Sequence, residues 1–513
     1  MLARDYPTAL SLLASLQSNQ TVVSLFASGP PSADLNALAI PEMLAWLARA
    51  GHTPASLAAA GLRCIHVAGT KGKGSVSALA ASILQQYPAA CPVGTYTSPH
   101  VLTVRERIVL DGAPISADKF ARYFFEVWDA LTAAAVQNGD VVPPGLGGVD
   151  GPATKPFYFR FLTILALHAF VREGVRSAVI ECGIGGEYDA TNVLPKEAVT
   201  AAVVTQLGID HVNMLGSTVE EIAWHKAGVW REGVKGFTRR VEGEGKGEGE
   251  GEGVMAVLRE RAREKGVSAL VEVEDREVDE WEGVEGARLE GPWQKMNMAL
   301  AAAAAREHLR RIRVRVEGRF GEGEGGGLGL ADMPVEFVRG LKAAKLPGRC
   351  EVVTDREGVE WFVDGAHTAE SLAGVGEWFA GKTRTDDGEV VRVLVFNQQD
   401  RDPAVLLGAL LGAFVGRKGL FAHAVFTRNE ELPPADGETR DLAVQSKALA
   451  TLRGAEGFED TEAVTRDSVR TAVERVREIA RRAGEEGKTC EVLVTGSFHL
   501  VGALLKTIGH VED

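Results

Sequence analysis

The chain has 513 residues, 45% of them hydrophobic and 25% charged, with a formal net charge of -14. That length suits two domains rather than one core, and the acidic balance argues against a general nucleic-acid or membrane-surface binder. Five scattered cysteines (Cys64, Cys91, Cys182, Cys350, Cys490) have neither disulfide-framework nor metal-knuckle spacing, so a reducing, cytoplasmic setting is the simplest expectation.

Residues 5 to 18 and Pro41 to Ala50 repeat apolar side chains at helical spacing. The N-terminal stretch carries one early Arg4 and no small-residue cleavage site after an apolar run, which reads as a first helix and not a signal peptide. A mitochondrial form made from another start site would not show in this sequence. Cys64 to Ala68 is a buried-type strand. It runs into Gly69-Thr70-Lys71-Gly72-Lys73-Gly74-Ser75 and then into a helix over Val76 to Gln86.

Strand, glycine loop and helix is the arrangement that holds phosphate: freed backbone N–H groups and the helix N-terminus converge, and a lysine adds a full charge. The spacing departs from G-x-x-x-x-G-K-[ST], since Gly74 follows Lys73 and the hydroxyl comes one position later at Ser75. The bland alternative is a glycine turn with solvated lysines.

Val93 to Thr97 reads as a short strand ending at Ser98-Pro99-His100, and Phe159 to Arg172 as an apolar helix with His168 in or near the core. The apolar run Phe161 to Val171 is too short to span a bilayer. Ser177 to Glu181 is a strand ending on a carboxylate, followed by the turn Gly183 to Gly186. Ala201 to Thr205 ends near Asp210-His211, and Thr218 to Glu221 has capping-box form before a helix that carries Lys226. Strands alternating with helices predict a parallel sheet with its ligands along one edge.

Glu242 to Gly253 and Glu317 to Gly329 are Glu/Gly-rich and are expected to be mobile, the first as a disordered surface insertion, the second lengthening the connection between domains over about 317 to 335. From about Leu346 the alternation restarts, with strands at Val359 to Val363, Val391 to Phe396, Leu420 to Thr427 and Glu491 to Thr495. The expected division is 1–335 and 336–513. Taken singly, Ser98, Glu181 and His211 read as a turn serine, a strand-end carboxylate and a loop histidine. Lys226 reads as a snorkelling lysine, Arg349 as half of a surface ion pair, and Asp364 and His367 as parts of an ordinary turn.

Together the segments carry more. GTKGKGS, TSPHV at 97 to 101, ECGIGGEYDATN at 181 to 192, LGIDHVNMLGSTVEEIAWHKAGV at 207 to 229, LPGR at 346 to 349, DGAH at 364 to 367 and VTGSFHLVG at 494 to 502 occur in one order. They resemble the folylpolyglutamate synthases of eukaryotic type, within the Mur-ligase superfamily. The resemblance implies a two-domain α/β protein: an N-terminal P-loop-type parallel sheet flanked by helices, and a smaller Rossmann-like C-terminal domain. It implies an ATP-dependent ligase that adds L-glutamate to the γ-carboxylate of tetrahydrofolate polyglutamates through an acyl phosphate.

By the same resemblance, Gly69 to Ser75 (Gly69, Thr70, Lys71, Gly72, Lys73, Gly74, Ser75) would cradle the ATP phosphates, with Lys73 stabilising the transferred group. Gln294 and Asn297 would lie near the nucleotide. Ser98, Glu181 and His211 would hold magnesium, and Lys226, carbamylated by carbon dioxide, would support a second ion; a monovalent cation is also compatible. Arg349 would reach the ATP phosphates, Asp364 would hold the ribose or adenine side, and His367 would line the reaction centre. With nucleotide contacts from both domains, closure would shut out water. Thr368 stands where many bacterial relatives have asparagine. Asn397 and Arg401 resemble a family segment and receive no role. The implied partners are small molecules only, and nothing demands more than a monomer. Three alternatives remain: a dihydrofolate synthase adding the first glutamate to dihydropteroate, a murein-type ligase, disfavoured for want of a UDP-sugar domain, and a nucleotide-binding regulator without catalysis.

Overall fold

The computed structural model describes residues 3–16, 33–142, 148–241, 250–318, 320, 328–383, 389–399, 401–416, 420–435 and 437–509. The chain forms two compact units. The first comprises Met1–His100, Val104–Arg288 and Lys295–Lys345, and the second Val101–Thr103, Leu289–Gln294 and Leu346–Asp513.

In the first unit, eight strands are introduced in chain order: β1 (Arg63–Ala68), β2 (Val93–Tyr96), β3 (Ile108–Leu110), β4 (Ala113–Pro114), β5 (Ser177–Glu181), β6 (Val199–Val204), β7 (Lys235–Arg239) and β8 (Ala269–Val273). They lie in the order β4-β3-β2-β5-β1-β6-β7-β8. From β2 to β8 every pairing is parallel, while β3 and β4 add an antiparallel ribbon at one edge. The central strands β1, β5 and β6 are buried nearly end to end, which is why they read as continuous apolar runs instead of alternating ones.

The second unit carries β9 (Glu351–Thr354), β10 (Glu360–Val363), β11 (Val390–Phe396), β12 (His423–Phe426), β13 (Glu462–Thr465) and β14 (Thr489–Thr495) in the order β13-β12-β11-β14-β10-β9. All pairings are parallel except β9 with β10. One face packs against an aromatic cluster that includes Phe379, Phe396, Phe414 and Phe421; the other packs against valines and leucines of the helices Val469–Glu485 and Phe498–Thr507. Trp293 and Glu290 belong with this unit, Glu290 accepting from Trp378 Nε1 at 3.1 Å.

Three sequence expectations change. The second unit takes up the chain at Leu346 and not at 336, because the helix Val335–Ala343 packs on the helix Lys73–Leu84. Gly340 makes the approach possible: a Cβ there would lie 2.6 Å from Ile83 Cα, and its carbonyl accepts from Ser82 Oγ at 2.6 Å. The described residues of the tract 317–329 therefore group with the first unit. Its described residues are anchored, with Phe320 and Leu328 buried and the Leu328 and Gly329 N–H groups donating to Glu277; residues 319 and 321–327 lie outside the described residues. The expected insertion 242–253 is helical from Glu250 onward, in the helix Glu250–Glu264, because Val254, Met255 and Leu258 find the core; residues 242–249 lie outside the described residues.

All five cysteines are unpaired. Among the described residues no helix is long and apolar enough to cross a membrane. His168, expected in or near the core, is mostly buried between Glu126 (2.8 Å) and His52 (2.9 Å).

A buried histidine gives a stability prediction. Thr200 Oγ1 donates to Cys64 O at 2.9 Å, so the His308 Nδ1–H must donate to Thr200 Oγ1 at 2.7 Å. Full burial, aided by Arg63, lowers the imidazole from its ordinary 6.5 to about 3. Below pH 6.5 the unfolded chain then binds a proton that the folded chain refuses. Stability falls as pH falls, until the folded group also titrates near pH 3. By pH 5 this group should remove about 2 kcal/mol. Urea unfolding at pH 7 and pH 5 should show that loss in the parent and a smaller one in His308→Gln; equal losses would assign it to other groups.

Candidate active site

The glycine loop Gly69 to Ser75 occupies the end of β1, between the ends of β5 and β6. Its shape is imposed from β6. Thr70 N and Lys71 N both donate to Gln206 O (2.9 and 3.2 Å), Thr70 Oγ1 to Gly208 O (3.0 Å), and Thr205 Oγ1 to Lys71 O (2.6 Å). Gly69 (φ 152°) has no room for a side chain, since its Cβ would fall on Thr205 Oγ1. Gly72 (φ 83°) is left-handed and faces Asn297 Oδ1, 2.4 Å from where a Cβ would sit. Gly72 also serves as N-cap of the helix Lys73–Leu84, with no side-chain cap, so the helix begins at the loop itself and its positive end lies there. Ser75 is buried in that first turn.

Two amines converge on one carbonyl at this loop. Lys73 Nζ donates to Gly69 O at 2.9 Å, and Lys226 Nζ donates to the same oxygen at 2.8 Å. Lys226 is only 3% exposed. Burial first, and the Lys73 charge second, lower its pKa to about 7. Local sequence explains how it arrives there. Thr218 and Glu221 form the predicted capping box of the helix Val219–Lys226, and the turn after β5 packs on the far end of that helix. Glu187 N donates to His225 O at 2.7 Å, and a Cβ at Gly186 would meet the carbonyls of His225 and Lys226. Glu187 is held in turn by Arg261 and Lys265, so the helix following the Glu/Gly tract buttresses the turn.

Glu181 and Ser98 come together: Glu181 Oε2 accepts from Ser98 N at 3.0 Å, and the carboxylate is buried at the end of β5. His211 belongs to the connection after β6. It is exposed, left-handed at φ 52°, and 3.8 Å from Asp210 Oδ2. In sheet order β1 and its loop lie between β6 and β5, and two strand spacings amount to about 10 Å. Among the described residues no three His, Cys, Asp or Glu side chains are disposed to hold a metal ion. A carboxylate beside a serine nevertheless fits a hard cation that takes its remaining ligands from phosphate and water. Arg107, mostly buried, donates from Nε to His100 Nδ1 at 2.9 Å and so supplies positive charge beside the Ser98 turn.

Of the two helix residues expected near nucleotide, Asn297 sits against Gly72, as above. Gln294 is buried at the start of the helix Gln294–Arg311 and groups with the second unit.

In the second unit, Asp364 is a clamp. Its buried carboxylate accepts from Cys350 N (Oδ2, 2.8 Å) and Ala366 N (Oδ1, 2.8 Å), joining the LPGR turn to the DGAH turn. Burial pushes its carboxyl up, against the pull of Arg349 and those N–H donors. Cys350, with φ 44°, is a non-glycine residue held left-handed by this clamp. His367 Nδ1 lies 3.0 Å from Gly365 O, which can only accept, so Nδ1 carries a proton. Arg401 Nη1 donates to His367 O at 3.2 Å, and Asn397 sits in a buried amide chain with Asn429 and Gln445 (2.8 Å each). Thr368 caps the helix Ala369–Lys382 in a capping box with Ser371, which gives the hydroxyl at this position a local role.

Sequence reasoning missed the Thr205–Gln206 pins, the Glu187 support and the aromatic ring of Phe498, described below. The first two join segments more than 70 residues apart, as with Glu187 and Arg261, and leave no local signature.

Residues 351–507 match the family model for the dihydrofolate synthetase C-terminal domain. A folylpolyglutamate synthase of Saccharomyces cerevisiae (strain FostersO) is 35% identical over 525 aligned residues, covering 100% of this chain and 88% of the yeast protein. Among solved structures, Mycobacterium tuberculosis folylpolyglutamate synthase complexed with ADP superposes with a TM-score of 0.66 at 24% identity, over 98% of this chain and 100% of that one. An FPGS-AMPPCP-folate complex gives 0.61 at 22%, over 95% and 99%. With two α/β units, the glycine loop and the shared motifs in one order, the chain belongs to the folylpolyglutamate synthase family.

Proposed function

We propose that this chain is an ATP-dependent ligase that adds L-glutamate to the γ-carboxylate of a tetrahydrofolate already bearing glutamate, releasing ADP and phosphate. The observation that carries the reading is the convergence of Lys73 and Lys226 on Gly69 O beside a helix N-terminus that lacks a side-chain cap. Two amines held this close repel one another when both are charged, and an anion between them relieves the cost. The yeast relative bears the name folylpolyglutamate synthase, and the similar structures include complexes with ADP and with AMPPCP and folate.

Amide formation from a carboxylate in water is uphill, so the carboxylate needs activation. A γ-carboxylate oxygen attacks the γ-phosphorus of ATP and ADP leaves; the α-amine of glutamate then attacks the acyl carbon and phosphate leaves. Gly69 to Ser75 bind the phosphates through backbone N–H groups, and Lys73 stabilises charge on the transferred group. Arg349 adds a guanidinium for phosphate oxygens. Asp364 acts first through the turn it clamps. The Nε2 of His367 is suited to take the proton lost by the attacking amine. Magnesium, held by Ser98, Glu181 and His211, would offset phosphate charge. A pKa near 7 leaves much of Lys226 as free amine at neutral pH. That is the form that adds to carbon dioxide, giving a carbamate and a proton, and the carbamate turns a cation into an anion suited to a second ion. Asn297 and Gln294 are assigned to nucleotide binding. All these groups come from one chain, so a monomer suffices, and the unpaired cysteines support a cytoplasmic setting.

The test is product analysis after incubation with labelled glutamate, ATP and tetrahydrofolate mono- and diglutamate. One ADP per added glutamate, with folates lengthened one residue at a time, is the expected result. Turnover of dihydropteroate alone would transfer the assignment to dihydrofolate synthase, and nucleotide binding without product would support the regulator.

A further inference from the structure

Phe498 opens the helix Phe498–Thr507, directly after β14 and the left-handed Gly496 (φ 103°). Its ring is half-buried, yet the surroundings are built around it. The Arg349 guanidinium carbon lies over the ring, 3.8 Å from its centroid. The His367 ring is tilted against it, centroids 6.1 Å apart. Gly365 lies beside it with no room for a side chain, because a Cβ there would sit 2.6 Å from Phe498 Cδ1. Gly365 N also donates to Gly348 O at 3.1 Å, so the LPGR and DGAH turns meet at this ring.

We infer that Phe498 is a positioning residue for the ligase reaction, a stacking platform that fixes the direction of the Arg349 guanidinium and the plane of the His367 imidazole. The inference rests on the reading of Arg349 as a phosphate-binding group. A guanidinium held over a ring is attracted to the ring face and loses much of the freedom of its long side chain, which fixes where its charge is presented. The geometry also accounts for a glycine at 365. The bare turn makes room for the ring, and the ring in turn seats the arginine.

The experiment compares the full-length parent with Phe498→Leu, Phe498→Tyr, Gly365→Ala, Arg349→Ala and the Arg349→Ala/Phe498→Leu pair. Steady-state kinetics in ATP, AMPPCP affinity by calorimetry and thermal unfolding would be measured for each. Phe498→Leu keeps apolar volume and should raise KM for ATP and weaken AMPPCP about tenfold, with an unfolding temperature close to the parent's. Phe498→Tyr should restore both. Gly365→Ala should displace the ring and reproduce the leucine variant. In the Arg349→Ala background the leucine substitution should add little.

Parental KM and AMPPCP affinity in Phe498→Leu, or an equal loss with and without Arg349, would overturn the inference. Unchanged nucleotide affinity in Arg349→Ala would sink it as well, by removing the group to be positioned. If the parent forms no lengthened folate, the ligase reading fails, and the AMPPCP affinities still decide whether Phe498 seats Arg349.

Discussion

Lys73→Ala should lower the rate of glutamate addition about a thousandfold, an effect of the size expected when a charge aimed at the transferred phosphoryl group is lost from a water-poor site. The fold should survive, because Lys73 is the half-buried first residue of its helix and its amine donates to the loop carbonyls of Gly69 and Thr70. Lys73→Arg should recover little, since a planar fork does not occupy the place of a compact ammonium. Labelled-glutamate incorporation, with circular dichroism as the folding control, checks both. A Lys73→Ala protein that lengthens folate within a few-fold of the parent would remove the loop from the phosphates.

Lys226→Ala should cost about a hundredfold or more in kcat, and its rescue tells which charge matters. The substitution leaves a small cavity beside Gly69 O, where the amine was 2.8 Å away. If the working group is a carbamate, acetate or formate should restore part of the activity and ethylamine should not. Rescue by the amine alone would show that a cation acts there. Full activity without any addition would remove Lys226 from the machinery.

The amino-acid sequence made the centre of this molecule legible because three glycines and two lysines crowd into the seven residues between a strand and a helix, although what excludes side chains at Gly69 and Gly72 is Thr205 and Asn297, far along the chain. The capping box at Thr218 and the buried strands β1, β5 and β6 were legible for the same local reasons. The edges were not. β9 and β13 have four residues each and are only partly buried, which leaves little apolar pattern to read. Glu250 to Gly253 looked unable to fold because composition was weighed without the apolar residues that follow. Val254, Met255 and Leu258 draw the helix into the core, and the glycines are carried with it. At the site, Asp364 could be seen at a strand end, but its grip on Cys350 N, 14 residues back, belongs to tertiary structure.

The lone antiparallel pairing of the second sheet acts as a ruler. Val363 faces Glu351 across β9 and β10, so Arg349 and Asp364 stand just past the last rung, and the ladder sets the gap between them. Sliding it by one residue would turn every side chain to the opposite face and carry Cys350 N away from its acceptor. The far bend is held as well, since the Asp355 carboxylate accepts from Glu357 N, Val359 N and Trp361 Nε1. An added residue is therefore costly both there and between Arg349 and Glu351.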